Sequence, residues 1–243
     1  MNFEGKNAVF ELISSKRKTV EKVIVLDKTT DEKHREIVKL AKNDGIKVEF
    51  VSKVALDKLS ETGHHQGVIA VATDYVYCDL FEEITKAKEQ NRHIIIVLLD
   101  GVVDPHNLGS VIRTSECCGV TAVVIPKNRS ANVNETVIRA SVGALAYVPV
   151  CKVTNISATI EKIKELGIWV YALDMDGTDM YSANLKGDVA IVVGGEGSGV
   201  SRIVREKCDQ IVSIPMAGKI NSLNASVSAS VVLYEIYRQN RKG

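Results

Sequence analysis

Residues of types that could bind or activate a substrate concentrate in three polar segments of the chain. Each segment follows an apolar run and leads into a helical pattern. Ligands of open parallel sheets bind outside the carboxyl ends of the strands, so loops in this position are candidate parts of one site. Free backbone N–H groups at the starts of the helices favour polar or anionic ligands. The three segments are residues 104–113, 194–199 and 214–228.

The middle segment, 194–199, is a glycine-rich loop with the sequence GGEGSG. It is not a Walker A loop, because Gly199 is followed by Val200 and not by a lysine. It also departs from the GxGxxG dinucleotide fingerprint, and Ile214 stands where the acidic residue after the next strand would be needed. The glycines predict a close approach of the backbone to something. Glu196 among them is either a functional carboxylate or a solvated one.

The flanking segments supply a cation and several short polar side chains. Arg113 could bind a phosphate or oxygen of a substrate, or it could form an ion pair with Glu116 at i+3. Pro215 predicts the end of a strand, and Ser222 is the expected N-cap of the last helix. Small polar residues such as Asn224 crowd the first turns of that helix although they are indifferent helix formers. The crowding favours a binding site, and a capped helix in a tight core is the alternative.

The elements that position these segments alternate between strands and helices, which predicts an α/β fold with a mainly parallel sheet. The run 94–99 is apolar throughout, as in a strand that is buried on both faces. Further strands are predicted at 121–125, 146–150, 168–173, 189–193 and 210–214. Helices are predicted at 108–118, 134–143, 156–166, 201–207 and from 222 to 241.

Three regions follow from the pattern. Residues 1–74 form a smaller α/β unit, residues 75–92 form a charged and mostly helical connector, and residues 93–243 form the larger domain. In the small unit, residues 16–18 make a basic tip that could bind phosphates or be a solvated turn. Residues 64–67 (HHQG) form a polar loop that either touches RNA or is inert, since adjacent histidines on a strand point to opposite sides and cannot share one metal.

Composition narrows the class of protein. The chain has 243 residues, 45% of them hydrophobic, which is enough for a substantial core. Its longest apolar run is far too short to span a membrane, and residues 1–6 do not resemble a signal peptide. The five cysteines show no metal-binding spacing, so we expect reduced thiols, a cytoplasmic protein and no metal. A net charge of +1 neither indicates nor excludes a nucleic-acid partner.

Together the three segments resemble the three motifs of the SpoU (TrmH) family of RNA ribose 2′-O-methyltransferases. The matching stretches are NLGSVIRT at 107–114, VGGEGSGV at 193–200, IPM at 214–216 and SLNASV at 222–227. The small unit, with GKNAV at 5–9 and HQG at 65–67, resembles the substrate-binding domain of the bacterial 23S rRNA guanosine 2′-O-methyltransferases of that family.

This resemblance implies a fold, a cofactor and a site. The fold would be a SPOUT-type parallel sheet whose C-terminal segment, from about residue 211, forms a trefoil knot, preceded by a small α/β substrate-binding domain. S-adenosylmethionine would be bound by Leu173, Gly194, Gly195, Ile214, Met216 and Leu223. The catalytic residues would be Asn107, Arg113, Glu196, Ser222 and Asn224.

The roles implied for individual residues leave two points open. Arg113 is the family's candidate for activating the hydroxyl, but an arginine keeps its proton under ordinary conditions, so Arg113 could fix the adjacent phosphate instead. The family also implies a homodimer, for which Val227, Val231 and Tyr234 form an apolar stripe on the last helix that could equally belong to the core.

The leading hypothesis is therefore an S-adenosylmethionine-dependent RNA ribose 2′-O-methyltransferase that acts on a guanosine of 23S rRNA. Relatives of the same family that modify tRNA, or that confer antibiotic resistance by methylating rRNA, are the nearest alternatives. A non-catalytic RNA-binding protein of ribosome assembly is an alternative of another class. A nucleotide-dependent oxidoreductase is suggested only by the glycine loop.

Overall fold

The alternating apolar runs fold into two α/β units in the computed structural model, which describes residues 2–15, 20–72, 75–220 and 222–241. The first unit contains the described residues of Met1–Val76 and Val133–Tyr147. The second contains those of Tyr77–Asn132 and Val148–Gly243. This division differs from the predicted regions in two respects: the segment 133–147 groups with the first unit, and most of the expected connector belongs to the second.

A four-stranded mixed sheet with the strand order β1-β4-β2-β3 forms the first unit. Its strands are β1 (Asn2–Glu4), β2 (Val20–Leu26), β3 (Lys47–Val51) and β4 (Val68–Ala72). Its helices are α1 (Lys6–Ser15), α2 (Glu32–Asn43), α3 (Lys53–Leu59) and α6 (Glu135–Ser141), with a 3₁₀ turn at Ala144–Ala146. β2 pairs with β3 in parallel and with β4 antiparallel, so β3 is an edge strand. The predicted basic tip at 16–18 lies outside the described residues.

Buried polar side chains fix the loop that precedes β4. The Glu4 carboxylate accepts hydrogen bonds from the Ser60 hydroxyl, at 2.6 Å, and from the Glu61 backbone N–H, at 2.6 Å. His65 is buried, accepts from the Gly67 N–H through Nδ1 at 2.9 Å, and lies with Nε2 2.8 Å from a carboxylate oxygen of Asp57. His65 therefore holds the loop in shape, which is a structural task.

A six-stranded, fully parallel sheet forms the second unit, as the sequence predicts. The strand order is β10-β8-β9-β5-β6-β7. The strands are β5 (Ile95–Asp100), β6 (Ala122–Pro126), β7 (Val150–Val153), β8 (Trp169–Asp179), β9 (Val189–Gly194) and β10 (Gln210–Ser213). The helices are α4 (Leu80–Glu89), α5 (Pro105–Cys117), α7 (Ile156–Glu165), α8 (Arg202–Lys207) and α9 (Ala225–Asn240).

Helix α4 lies in the region that was expected to be a connector, yet it is part of the second unit's core. Its Leu80, Ile84 and Ala87 are buried in one cluster with Ile96 and Leu98 of the central strand. A charged helix with one apolar side behaves in this way when that side can reach a sheet.

The predicted strand at 146–150 is wrong. A 3₁₀ turn occupies Ala144–Ala146, and pairing begins only at Val150. Pro149 explains the delay, because proline has no N–H to donate to a ladder, although its carbonyl accepts from Val123 N at 2.9 Å.

Strand β8 extends past its predicted end at residue 173. Its pairing with β10 jumps from Ala172 opposite Ile211 to Thr178 opposite Val212, so the residues between 172 and 178 bulge out of the ladder. Gly177 permits this path, because a Cβ there would lie 2.7 Å from the backbone of Val212.

In the part of the chain that the structure describes, none of the helices has the length and apolar character that a membrane span requires.

Candidate active site

The loops after β5 and β9 meet at the centre of the parallel sheet. Asp100 at the end of β5 pairs with Gly194 at the end of β9. The Asp100 carbonyl accepts from Gly195 N at 2.9 Å, and its carboxylate accepts from Ser201 N at 2.8 Å. Asp100 therefore joins the first loop to both ends of the glycine loop.

The glycines of the second loop are explained by the chain's approach to itself. A Cβ on Gly194 would lie 2.0 Å from the carbonyl carbon of Gly199, and a Cβ on Gly195 would lie 2.2 Å from the carbonyl oxygen of Gly101. Gly197 and Gly199 have φ values of 84° and 60°, in the region that side chains disfavour. The close contact that the sequence predicts is thus made with protein backbone, and it turns the loop tip, Glu196, back towards α5 and α9.

Three side chains, one from each of the three polar segments, form one hydrogen-bonded group. Asn107 Nδ2 donates to Glu196 Oε1 at 3.0 Å. Asn224 Nδ2 donates to the same carboxylate oxygen at 2.5 Å and to Asn107 Oδ1 at 2.9 Å. Asn107 is only 6% exposed, whereas Glu196 and Asn224 are exposed, so the group reaches from the interior to the surface. A single carboxylate oxygen that accepts two amide donors fixes both amides in orientation.

Asn224, and not Ser222, is the N-cap of the last helix, so the predicted cap is wrong. Its Oδ1 accepts from Ser226 N at 3.0 Å, Val227 N at 3.3 Å and the Ser226 hydroxyl at 2.7 Å. The amide of Asn224 thereby caps α9 with its oxygen and reaches Glu196 with its nitrogen. Ser222 is exposed, and its side chain makes no hydrogen bond within the described residues.

Arg113 lies on the exposed side of α5. Among the described residues it has no ion-pair partner, so the alternative of a pair with Glu116 is not observed.

Helix α5 begins at Pro105, capped by Asp104, which accepts from His106 N at 2.9 Å. Asn107 therefore lies in the first turn of the same helix and not in the loop that the sequence predicts.

The residues expected to bind the cofactor lie after β9 and β10 and within β8. Gly194 and Gly195 are in the glycine loop beside the hydrogen-bonded group. Met216 and Leu223 are each 39% exposed. Ile214 is half-buried just after β10, and Leu173 is half-buried where the bulge of β8 begins.

Two features of the site were not predicted from the sequence. Asp100, which anchors the glycine loop, could have been recognised as the carboxylate that ends a fully apolar strand. The hydrogen bond between Thr114 and Ser230, at 2.9 Å, joins α5 to α9 and has no local signal, because the two residues are far apart in sequence. No cluster of three or more His, Cys, Asp or Glu side chains suited to a metal occurs among the described residues.

Two family models match the chain and cover most of it. The model of the SpoU rRNA Methylase family matches residues 94–234. The model of the RNA 2′-O ribose methyltransferase substrate binding domain matches residues 3–78.

Bacterial relatives match over nearly the whole length. YacO of Bacillus subtilis (strain 168), which bears the name of a TrmH family tRNA/rRNA methyltransferase, is 42% identical over 237 residues, with 97% of this chain and 94% of YacO covered. A Staphylococcus saprophyticus protein with the same family name is 42% identical over 236 residues, with 97% and 94% covered.

Solved structures share the fold. AviRb from Streptomyces viridochromogenes, a SpoU methyltransferase in complex with AdoMet, aligns with a TM-score of 0.83 at 23% identity and covers 98% of this chain and 90% of AviRb. An AdoMet-bound rRNA methyltransferase from Sinorhizobium meliloti aligns with a TM-score of 0.81 at 20% identity and covers 99% and 88%. With both family models matched in order and relatives at 42% identity, the chain belongs to the SpoU/TrmH family of RNA methyltransferases.

Proposed function

We propose that the chain transfers a methyl group from S-adenosylmethionine to a ribose 2′-hydroxyl, and that its substrate is a guanosine of 23S rRNA. The observation that carries the proposal is the hydrogen-bonded group of Asn107, Glu196 and Asn224, which joins the three polar segments of the chain. Arg113, on the same helix as Asn107 and without an ion-pair partner in the described part of the chain, supplies a positive charge that would attract an RNA backbone.

Methyl transfer requires that the ribose 2′-hydroxyl be oriented towards the methyl group and that it lose its proton. When bound, S-adenosylmethionine supplies a methyl group already activated by its positive sulfur. The new bond joins the 2′-oxygen to that carbon, the carbon–sulfur bond breaks with its electron pair on sulfur, and the hydroxyl proton leaves to solvent or to a phosphate oxygen. We assign Arg113 to the hydroxyl or its neighbouring phosphate. Asn224 and Ser222 would hold ribose or phosphate oxygens, and Glu196 and Asn107 would keep the site in shape.

The residues after β9 and β10 fit the cofactor. An adenosine presents two apolar faces and a polar edge, so its site needs large apolar side chains and backbone hydrogen-bonding groups. The exposed side chains of Met216 and Leu223 meet the first need. The described residues between β10 and α9 form no helix or strand, so no regular ladder occupies their backbone groups, which could meet the second. The proposed cofactor residues are Leu173, Gly194, Gly195, Ile214, Met216 and Leu223.

The choice of substrate rests on the first unit. It matches a substrate-binding domain by its model, and the model for the second unit is that of an rRNA methylase family. The relatives are named for both tRNA and rRNA, so methylation of tRNA is the outcome that would correct this part of the proposal. Since rRNA is the proposed substrate, we expect the enzyme to act in the cytoplasm.

We propose two further family features for this chain. After β10 at the sheet edge, α9 packs against α5 and β9, which supports a C-terminal segment threaded as a trefoil knot. Val227 and Tyr234 of the predicted stripe on α9 are 44% and 53% exposed, which supports a homodimer and not a core role for these two residues.

An Arg113→Ala variant tests the assignment of the site. We expect loss of methyl transfer to rRNA by at least about a hundredfold, because a transition-state contact is removed, with calorimetric binding of S-adenosylmethionine unchanged. Arg92→Ala is the matched control, since Arg92 is also exposed and has no ion-pair partner among the residues that the structure describes. An unchanged rate in Arg113→Ala would remove Arg113 from the mechanism, and absence of S-adenosylmethionine binding in the parent protein would overturn the proposed function.

A further inference from the structure

A basic groove lies on the surface of the first unit, between α2 and the edge strand β3. Its volume is about 530 Å³. Buried His34 and half-buried Val38 contribute to its lining. We define the groove by these lining residues: Asp27, Lys28, Thr29, His34, Arg35, Val38, Lys39, Lys42, Asn43 and Phe50.

Four cations of the groove are exposed and have no carboxylate partner among the described residues. Three of them, Arg35, Lys39 and Lys42, follow the i, i+4, i+7 spacing that sets side chains on one side of a helix. The fourth, Lys28, precedes α2. By contrast, Lys33 on the same helix is paired with a glutamate at 3.0 Å.

Only one carboxylate is among the lining residues. Asp27 accepts a hydrogen bond from the backbone N–H of Lys28 at 2.9 Å, so it is not engaged with the cationic side chains in that contact. The groove therefore carries a net charge of about +3 with His34 neutral, although the whole chain carries +1. His34 is held in place by two contacts: Nδ1 lies 2.7 Å from the Thr29 hydroxyl, and Nε2 lies 2.9 Å from the carbonyl of Gln66.

An exposed aromatic ring completes the groove. Phe50 is 52% exposed on the edge strand, where alternation puts it on the same face as Val48. The exposed ring lies beside the four cations and is not packed in the core. It offers a face on which a nucleobase can stack.

We propose that this groove binds a single-stranded segment of the RNA substrate, with phosphates on Arg35, Lys39 and Lys42 and a base stacked on Phe50. The inference rests on the proposed function, since it supplies the contact surface for the same substrate. The three helix cations span about 10 Å along the axis, which corresponds to about three phosphate-to-phosphate spacings of a stacked strand and exceeds the size of one small anion. An acidic protein segment would satisfy the charges but would leave the ring without a matching flat partner.

Binding of a fluorescent oligouridylate of about 12 nucleotides to the full-length protein tests the proposal. For the triple variant Arg35→Gln/Lys39→Gln/Lys42→Gln, we expect affinity to fall at least about tenfold and the slope of log K against log salt to shrink by about 2. For Phe50→Ala, we expect about a tenfold loss with the salt slope unchanged, because stacking is not ionic. Phe50→Trp should restore the affinity.

The control is Lys53→Gln/Lys58→Gln/Lys88→Gln, which removes three charges from exposed lysines outside the groove that have no ion pair among the described residues. An equal loss in this control, an unchanged affinity in the groove variant, or equal binding of polyglutamate would overturn the proposal.

Methylation assays separate this inference from the proposed function. If the parent protein methylates RNA and the groove variants do so with unchanged KM, the proposal that the groove binds the substrate is wrong, and the proposed methyltransferase function is unaffected. If the parent protein methylates no RNA but the groove variants lose oligouridylate binding as described, the groove stands and the function fails.

Discussion

At the scale of single residues, the site depends on side chains that satisfy two demands at once. Asn224 caps α9 through its oxygen and reaches Asn107 and Glu196 through its nitrogen. The cap needs only an acceptor oxygen, whereas the contacts with Asn107 and Glu196 need the amide nitrogen, so an amide meets both demands where another capping residue would not. The two tasks can be separated by mutation, because serine caps as well as asparagine but carries no amide.

Replacing Asn224 by Ser and by Ala separates the cap from the site. We expect Asn224→Ser to keep the stability of the parent protein and to lose methyl transfer by about tenfold or more, since the amide donor is removed. Asn224→Ala should lose similar activity and, in addition, about 1 kcal/mol of unfolding free energy. Urea unfolding and single-turnover assays measure the two effects. Full activity in Asn224→Ser would show that the hydrogen-bonded group is not used in catalysis.

Replacing one carboxylate of the first unit should stabilise the fold by an amount that depends on pH. Glu11 Oε2 is buried and has no hydrogen-bond partner among the described residues. Burial raises the pKa of Glu11 above its ordinary value, with a smaller opposing effect from Lys33. Since the folded pKa is raised, the ionised group destabilises the fold at a pH above that pKa, and the penalty disappears below the unfolded pKa.

Glu11→Gln should therefore raise the free energy of unfolding near pH 7 and change it by almost nothing near pH 4. Glu21→Gln, at an exposed position of the same unit, is the control and should change neither value. Denaturation curves at both pH values give the answer. A loss of stability at neutral pH in Glu11→Gln would mean that the carboxylate has a stabilising partner.

At the scale of elements, the shape of the site comes from backbones that pass very close to each other. The glycine loop folds onto Gly101 and onto its own end, and only residues without a Cβ allow this. Gly195→Ala should therefore cost about 1–3 kcal/mol of stability and disrupt the contact between Glu196 and Asn224. Gly218→Ala is the control for stability, because an added Cβ there meets nothing within 4 Å. Equal stability in the two variants would contradict this account of the loop.

Most of the elements that carry the site follow from local patterns. The apolar run that becomes β5, the glycine loop and the polar start of α9 are all visible in the sequence. What the sequence does not reveal is long-range. Ser222 looks like a cap because its type fits, but the hydrogen bonds of Asn224 decide where the helix begins. The extension of β8 depends on its pairing with β10, and the link between Thr114 and Ser230 depends on helix packing.

At the scale of the whole molecule, helix α9 leaves apolar side chains in solvent. Val227, Tyr234 and Tyr237 are 44%, 53% and 44% exposed, and the two tyrosine rings meet edge to face with centroids 6.3 Å apart. If this face is the dimer contact, Tyr234→Glu should give a monomer, because a charge would be buried without a partner. Ile203→Glu, at a site 66% exposed on α8, should leave the dimer intact. Light scattering after gel filtration distinguishes the two, and a dimeric Tyr234→Glu protein would exclude this face.

The central claim is methyl transfer to ribose, and the product itself tests it most directly. The purified protein would be incubated with methyl-labelled S-adenosylmethionine and deproteinised rRNA from a strain that lacks the gene, and the RNA would be digested to nucleosides for mass spectrometry. We expect labelled 2′-O-methylguanosine from 23S rRNA. Label on a base, or no label in the ribose of any rRNA or tRNA, would contradict it.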